Sequence, residues 1–237
     1  MIGDILPPQV VAEEAFGDLP DVRLFPSEEA VIAQAVEKRR NEFATARACA
    51  RAALGRLGLP PAPIVPGLRG SPQWPAGVVG SITHCAGYRA SAVARDRDVI
   101  TIGLDAEPHD KLPDGVLKAV ACPAEQARLA TLAAARPDVH WDRMLFSAKE
   151  SVYKAWFPLT SRFLNFEEAS IDIDQASRTF TARLLVPGPL VNGKELTGFD
   201  GRWLVSHGLI VTTITILNCA PPPAAPRAAP SGAAAFK

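Results

Sequence analysis

Val99-Ile100-Thr101-Ile102-Gly103-Leu104-Asp105-Ala106-Glu107 alternates two kinds of side chain and is ended by Pro108. As a strand it puts Ile100, Ile102, Leu104 and Ala106 on one face and Val99, Thr101, Gly103, Asp105 and Glu107 on the other. The apolar face accounts for half of the alternation. It does not account for the two outward acids, whose Cα atoms stand roughly 7 Å apart at about 3.3 Å per residue. Carboxylates so spaced reach one hard cation, and oxygen donors suit magnesium. The plainer reading of the same residues is two solvated acids at a strand end.

Toward the N-terminus, Val78–Thr83 and Tyr88–Ala94 read as strands joined by a turn at Cys85–Gly87, after a Pro/Gly-rich connector from Pro60 to Pro75. Ser27 followed by Glu28 and Glu29 reads as a helix start, and Gly58 followed by Pro60 and Pro61 as a stop, so one long Ala-rich helix is expected between them. Arg40, Arg47 and Arg51 recur on it at helical period, with Arg39 one position around. Taken alone, that stripe is a solvated face.

Toward the C-terminus, a helix is expected over Glu125–Ala134 and a stronger one over Asp138–Trp156. Its stripe of Trp141, Met144, Leu145, Ala148, Val152, Ala155, Trp156 and Leu159 faces a core. Arg143, Glu150 and Lys154 lie opposite, with Lys149 at the stripe's edge. Four strands follow, at Ala169–Asp174, Phe180–Val186, Gly198–Val205 and Leu209–Leu217. Strands and helices come in runs rather than alternating, so the class is α+β. No repeat shows in the residue identities. The Pro/Ala-rich tail, 220–237, has the composition of a disordered segment that packs no core.

The 25 basic and 25 acidic residues cancel and 48% of the chain is hydrophobic, which describes a soluble globular protein without a nucleic-acid footprint. Cys49, Cys85, Cys122 and Cys219 lack the close spacing of a zinc ribbon or a disulfide framework, so a reducing cytoplasmic setting is expected. Met1–Pro8 is no secretory signal, and no uncharged apolar run reaches about 18 residues, so no membrane partner is expected. Walker, Gly-x-Gly-x-x-Gly, Gly-x-Ser-x-Gly and His-Glu-x-x-His motifs are all missing.

Two further constellations accompany the strand acids. In Phe146-Ser147-Ala148-Lys149-Glu150-Ser151-Val152-Tyr153-Lys154, Glu150 offers a third carboxylate, and Lys149 and Lys154 offer ammonium groups to phosphate oxygens. The plain alternative is an ordinary helix pair between Glu150 and Lys154. Gly80-Ser81-Ile82-Thr83-His84-Cys85 offers backbone amides, a hydroxyl and an imidazole to an anion, with Arg69-Gly70-Ser71-Pro72 upstream.

In this order, Arg39-Arg40-Asn41-Glu42-Phe43 with Arg47, Trp74-Pro75-Ala76-Gly77, the 80–85 segment, Gly103-Leu104-Asp105-Ala106-Glu107-Pro108 and the 146–154 segment resemble the Sfp-type 4′-phosphopantetheinyl transferases, in the subgroup of enterobactin-synthetase component D. The resemblance implies two pseudo-symmetric α/β halves, here 1–98 and 99–219, with coenzyme A in the cleft between them. It implies transfer of phosphopantetheine from coenzyme A to a serine of an apo acyl or peptidyl carrier protein, releasing adenosine 3′,5′-bisphosphate, by a cytoplasmic monomer. Asp105, Glu107 and Glu150 match the family's magnesium ligands and Lys149 and Lys154 its phosphate-contacting lysines. Thr83 and His84 match the pair at the phosphoadenosine end, with Arg39, Arg47 and Arg69 adding charge. Glu150, directly or through a metal-bound water, is the expected base, with Lys149 the alternative. Two other readings use the same residues: a magnesium-dependent phosphotransferase or phosphohydrolase needing no carrier, and a module that binds coenzyme A or a carrier domain without turnover.

Overall fold

Residues 1–218 are described by the computed structural model, and the expected tail at 220–237 lies outside them. The strands are β1 (Val11–Phe16), β2 (Val78–Cys85), β3 (Tyr88–Arg95), β4 (Val99–Pro108), β5 (Ala169–Asp174), β6 (Thr179–Leu184), β7 (Leu190–Val191), β8 (Lys194–Glu195), β9 (Gly198–Ser206) and β10 (Leu209–Leu217). The helices are α1 (Pro26–Ile32), α2 (Glu37–Arg56), α3 (Val116–Val120), α4 (Pro123–Ala135) and α5 (Trp141–Thr160). The expected α+β class is what these elements form.

Two antiparallel sheets carry the fold, one in the order β1-β3-β2 and one in the order β4-β10-β9-β6-β5. Two-residue turns close their hairpins. Ala86-Gly87 joins β2 to β3, and His207-Gly208 joins β9 to β10 with φ of 52° and 71°, the backbone that suits the right-handed twist of paired strands. Helix α2 covers the outer face of the smaller sheet, packing Ala50, Ala53 and Leu54 on Val78 and Val93. Helices α4 and α5 cover the outer face of the larger sheet. The inner faces meet each other, Tyr88, Ala90, Ala92 and Ala94 against Ile102, Leu104, Ala106 and Val211. The result is four layers, helix, sheet, sheet, helix.

Three sequence expectations are corrected. The single helix expected between Ser27 and Gly58 is α1 and α2, with Phe25 rather than Ser27 at the helix start. The break lets the Arg40 guanidinium cap the end of α1 at the Ile32 carbonyl, 3.1 Å away. Val99 joins the core cluster with Ile102 and Leu104 because a β-bulge at Ile100 reverses the alternation there, Leu217 facing Val99 while Ile216 faces Thr101. Strand β1 had no signal in the sequence. Its adjacent acids are held by tertiary partners, Glu14 accepting from the Met1 ammonium at 2.7 Å and from the Tyr88 hydroxyl at 2.6 Å.

Two helix starts share one arrangement of contacts. Helix α1 begins Phe25-Pro26-Ser27-Glu28 and α4 begins Cys122-Pro123-Ala124-Glu125, each with Pro in its first turn and a buried Glu accepting from its own cap amide, at 3.0 and 2.9 Å. Glu28 also accepts from the Ile64 amide and from Arg51 of α2; Glu125 also accepts from the Ile171 amide and from Lys149 of α5. Each carboxylate thus ties together a short helix, a distant strand or loop and a long helix.

At Gly103 the backbone of β4 meets the backbone of α5 so closely that a Cβ would lie 2.0 Å from the Ser151 carbonyl oxygen. Thr101 confirms the contact, its hydroxyl donating to the Ala155 carbonyl at 2.8 Å. Gly103→Ala must push the helix off the strand, and we expect a loss of at least roughly 1–3 kcal/mol in unfolding free energy, read by denaturant titration. A variant as stable as the parent would show that α5 can be displaced without cost.

Candidate active site

The close approach at Gly103 sets the outward face of β4 against the polar face of α5. Asp105 is 4% exposed, and Lys154 Nζ donates to its Oδ1 at 2.7 Å, to the Leu104 carbonyl at 3.0 Å and to Thr83 Oγ1 at 3.5 Å. Lys154 thus reaches across to the strand, so the ordinary helix pair with Glu150 does not form. Glu107 Oε2 accepts from Arg143 Nη1 at 2.9 Å. Glu150 has no ion-pair partner among the described residues. Burial, then the nearby Asp105 charge, raises the Glu150 carboxyl above the usual range. Burial and Asp105 raise Glu107 likewise, against the pull of Arg143. These are not solvated acids at a strand end.

The three carboxylates are a test for the implied magnesium. Among the described residues no three potential ligands already stand at metal-binding spacing. Yet Asp105 Oδ2 is buried with no hydrogen-bond partner, a costly state that an added cation would relieve. The donors are all hard oxygens, and Glu107 and Glu150 stand close enough to Asp105 for its charge to raise both. The residues fit such an ion.

On the α2 side of the smaller sheet, Arg39, Phe43, Arg47, Ile82 and His84 line a cavity of about 300 Å³. Arg39 Nη1 donates to His84 Nε2 at 2.8 Å, and Glu42 Oε2 lies 4.0 Å from His84 Nδ1. Burial, then the Arg39 charge, holds the imidazole below its ordinary pKa, consistent with a neutral ring accepting at Nε2. Arg47 is buried, donates to the Ile64 carbonyl at 2.9 Å and lies over the Phe43 ring; burial lowers it to about 10, still charged at neutral pH.

A second cavity of about 470 Å³ opens between the sheets, with Arg69, Trp74, Glu150, Tyr153 and Lys154 in its wall. It shares Gly70, Pro72 and Ile82 with the basic cavity. A third, of about 320 Å³, shares Glu150 and Tyr153 with the second and adds Phe163 and Leu164. The three make a chain of cavities running from basic groups, past Glu150, to an apolar end. A larger depression of about 940 Å³ along β5 and β6 contains none of these acids or lysines.

Two expected site residues are used elsewhere. Lys149 turns the other way from Lys154, into the core, where its ammonium donates to Glu125 at 3.0 Å, the Phe166 carbonyl at 2.7 Å and the Ala169 carbonyl at 3.0 Å. All three protons are taken, leaving none for a phosphate and no lone pair for a base. Thr83 is 2% exposed and its Oγ1 accepts from the Ala106 amide at 3.0 Å, as Ser81 Oγ accepts from the Leu104 amide at 3.1 Å. These hydroxyls seam the edge of β2 to the edge of β4. His84, the next residue, faces the cavity because a strand alternates. Nothing in the sequence marks Glu42 or Tyr153 for a role at this site, and only its polar-face position marks Arg143.

Two family models match the chain: the 4′-phosphopantetheinyl transferase N-terminal domain over residues 27–94 and the 4′-phosphopantetheinyl transferase superfamily over 101–196. The chain is 60% identical to 4′-phosphopantetheinyl transferase Svp of Streptomyces mobaraensis over 219 residues, 91% of this chain and 89% of that protein. It is 48% identical to 4′-phosphopantetheinyl transferase PptT of Mycobacterium tuberculosis over 225 residues, 91% and 98% of the two chains. The chain belongs to the 4′-phosphopantetheinyl transferases. Likeness to enterobactin synthase component D of Escherichia coli is more distant, 35% identity over 132 residues, 53% of this transferase and 59% of that protein. The transferase is an enzyme that moves phosphopantetheine from coenzyme A to a carrier protein.

The contacts of Lys149 lead to a test within this enzyme. Lys149→Met strands the buried Glu125 charge and is expected to cost roughly 3–5 kcal/mol of stability. Adding Glu125→Gln should recover much of that loss and yield a folded, active transferase in the phosphopantetheinylation assay. A folded double variant without activity would return Lys149 to the chemistry.

Proposed function

We propose that this transferase lays coenzyme A along the three cavities, with the anionic phosphoadenosine end among Arg39, Arg47 and His84, the diphosphate beside Lys154 and Arg69, and the pantetheine arm past Glu150 against Tyr153, Phe163 and Leu164. The observation that carries this reading is a cavity walled by Arg69, Lys154 and Glu150 that joins a basic cavity to an apolar one, an order that matches the phosphoadenosine, diphosphate and pantetheine parts of coenzyme A. The halves 1–98 and 99–219 then divide the work, the first supplying most of the phosphoadenosine contacts and the second the acids and the reacting lysine.

Asp105, Glu107 and Glu150 would hold magnesium, which when bound supplies neutralisation of charge on the diphosphate oxygens. The remaining work falls to the chain. Lys154 steadies the phosphate undergoing substitution, and the cavity walls orient it for in-line attack. A carrier serine oxygen bonds to the β-phosphorus, the bond from that phosphorus to the bridging oxygen breaks, and adenosine 3′,5′-bisphosphate leaves. Glu150 takes the serine proton. It is the one of the three acids that stands in the cavity wall, and among the described residues it forms no ion pair. We further place the enzyme in the cytoplasm as a monomer, because Cys49, Cys85 and Cys122 are free thiols and both walls of the cleft come from one chain. Among the described residues no helix is long and apolar enough to cross a membrane.

Intact mass spectrometry of an apo acyl or peptidyl carrier protein incubated with coenzyme A, magnesium and the enzyme tests the reading. A mass gain equal to phosphopantetheine, lost with chelator and with Asp105→Ala, is expected. Gain that survives the chelator would remove the metal, and cleavage of coenzyme A without modified carrier would favour a phosphohydrolase. For the basic cavity, His84→Ala should raise KM for coenzyme A more than it lowers kcat. An unchanged KM would take His84 out of the coenzyme A site.

A further inference from the structure

We propose that Arg143 is a positioning residue for the divalent-cation site, clamping Glu107 so that one carboxylate oxygen is held and the other is left for the cation. The inference rests on the reading of Asp105, Glu107 and Glu150 as cation ligands. Glu107 is the last acid of β4 before Pro108, at a strand end where a carboxylate left to itself would sample several rotamers. It is not left to itself. Arg143 Nη1 donates to Glu107 Oε2 at 2.9 Å, and among the described residues no donor reaches Oε1.

The guanidinium is itself fixed. Its Nε donates to the Asp110 carbonyl at 3.1 Å and its Nη2 to the Lys111 carbonyl at 2.9 Å, so the planar fork is braced on the chain that leaves β4. Asp142, the neighbouring residue in the first turn of α5, accepts from the Leu112 amide at 2.9 Å and ties the same loop to the same helix. Arg143 and its ion pair are partly buried, with side-chain exposures of 15% and 20%, so the geometry is not an exposed surface pair free to come apart. Groups that hold a ligand carboxylate from behind tune metal affinity by orienting it. A lysine at 143 would keep the charge but lose the planar fork whose separate nitrogens reach Glu107 and the two carbonyls at once.

The test is Mn²⁺ binding to the purified full chain without coenzyme A, read by calorimetry or by the spectrum of free Mn²⁺. Arg143→Gln is expected to weaken binding roughly 10- to 100-fold, as loss of such a supporting group does elsewhere, with Arg143→Lys restoring it in part. Asp142→Asn, which loosens the loop without touching Glu107, should bind Mn²⁺ like the parent. Parent-like binding by a folded Arg143→Gln would overturn the proposal, and so would equal weakening by Asp142→Asn, since the loop and not the clamp would then be responsible. If Arg143→Gln does not fold, Arg143→Lys alone decides, with binding equal to the parent overturning the clamp. Failure of the underlying reading looks different: a parent protein whose Mn²⁺ binding survives Asp105→Asn and Glu107→Gln has its cation elsewhere, whatever Arg143 does.

Discussion

Backbone against backbone at Gly103 is the contact on which the site depends. A side chain at that position would hold α5 away from β4 by the width of a methyl group, because the Ser151 carbonyl occupies the space. With the helix seated, Lys154 reaches Asp105 and Arg143 reaches Glu107, two cations of one helix face meeting two acids of one strand face. Thr101, two residues before the glycine, and Ser147, one turn before Ser151, add hydroxyl contacts to the Ala155 carbonyl and to Thr212. These fix the helix along its axis as well as toward the sheet. The geometry of this cluster of acids and cations is a consequence of how closely two main chains can approach.

The seating is reinforced from both ends of the molecule by buried carboxylates. Glu28 and Glu125 each cap their own short helix, accept an amide from a segment far along the chain and receive a cation from the long helix of their half. Such ion pairs cost desolvation and return it only when every oxygen is satisfied, as it is in both cases. Their service is positional. Glu125 draws Lys149 into the core, which turns the opposite face of α5, with Glu150 and Lys154, toward the cleft.

A third constraint joins the two sheets. Leu104 and Ala106 lie on the free edge of β4, and their amides are taken by Ser81 and Thr83 rather than by another strand's carbonyls. The hydroxyls satisfy the edge while leaving the sheets separate, so the cleft between them, with Glu150 in its wall, stays open.

Periodicity made the alternation of β4 and the apolar stripe of α5 legible in the sequence, glycines marked the turns at Cys85–Gly87 and His207-Gly208, and the resemblance to the family supplied the meaning of the order of acids and lysines. Periodicity also put Asp105, Glu107, Glu150 and Lys154 on faces that can meet. What it could not assign was the use of neighbours. Lys149 and Lys154 are both lysines on one helix, Thr83 and His84 are adjacent on one strand, and only their partners separate structure from chemistry. Those partners are remote: Glu125 for Lys149, the Ala106 amide for Thr83, the Asp110 and Lys111 carbonyls for Arg143. Local sequence determines backbone period and which side chains share a face, because steric preference acts within a few residues. Which of them are spent on holding the fold is decided by the tertiary structure, because a buried polar group must be satisfied by whatever segment folding brings to it.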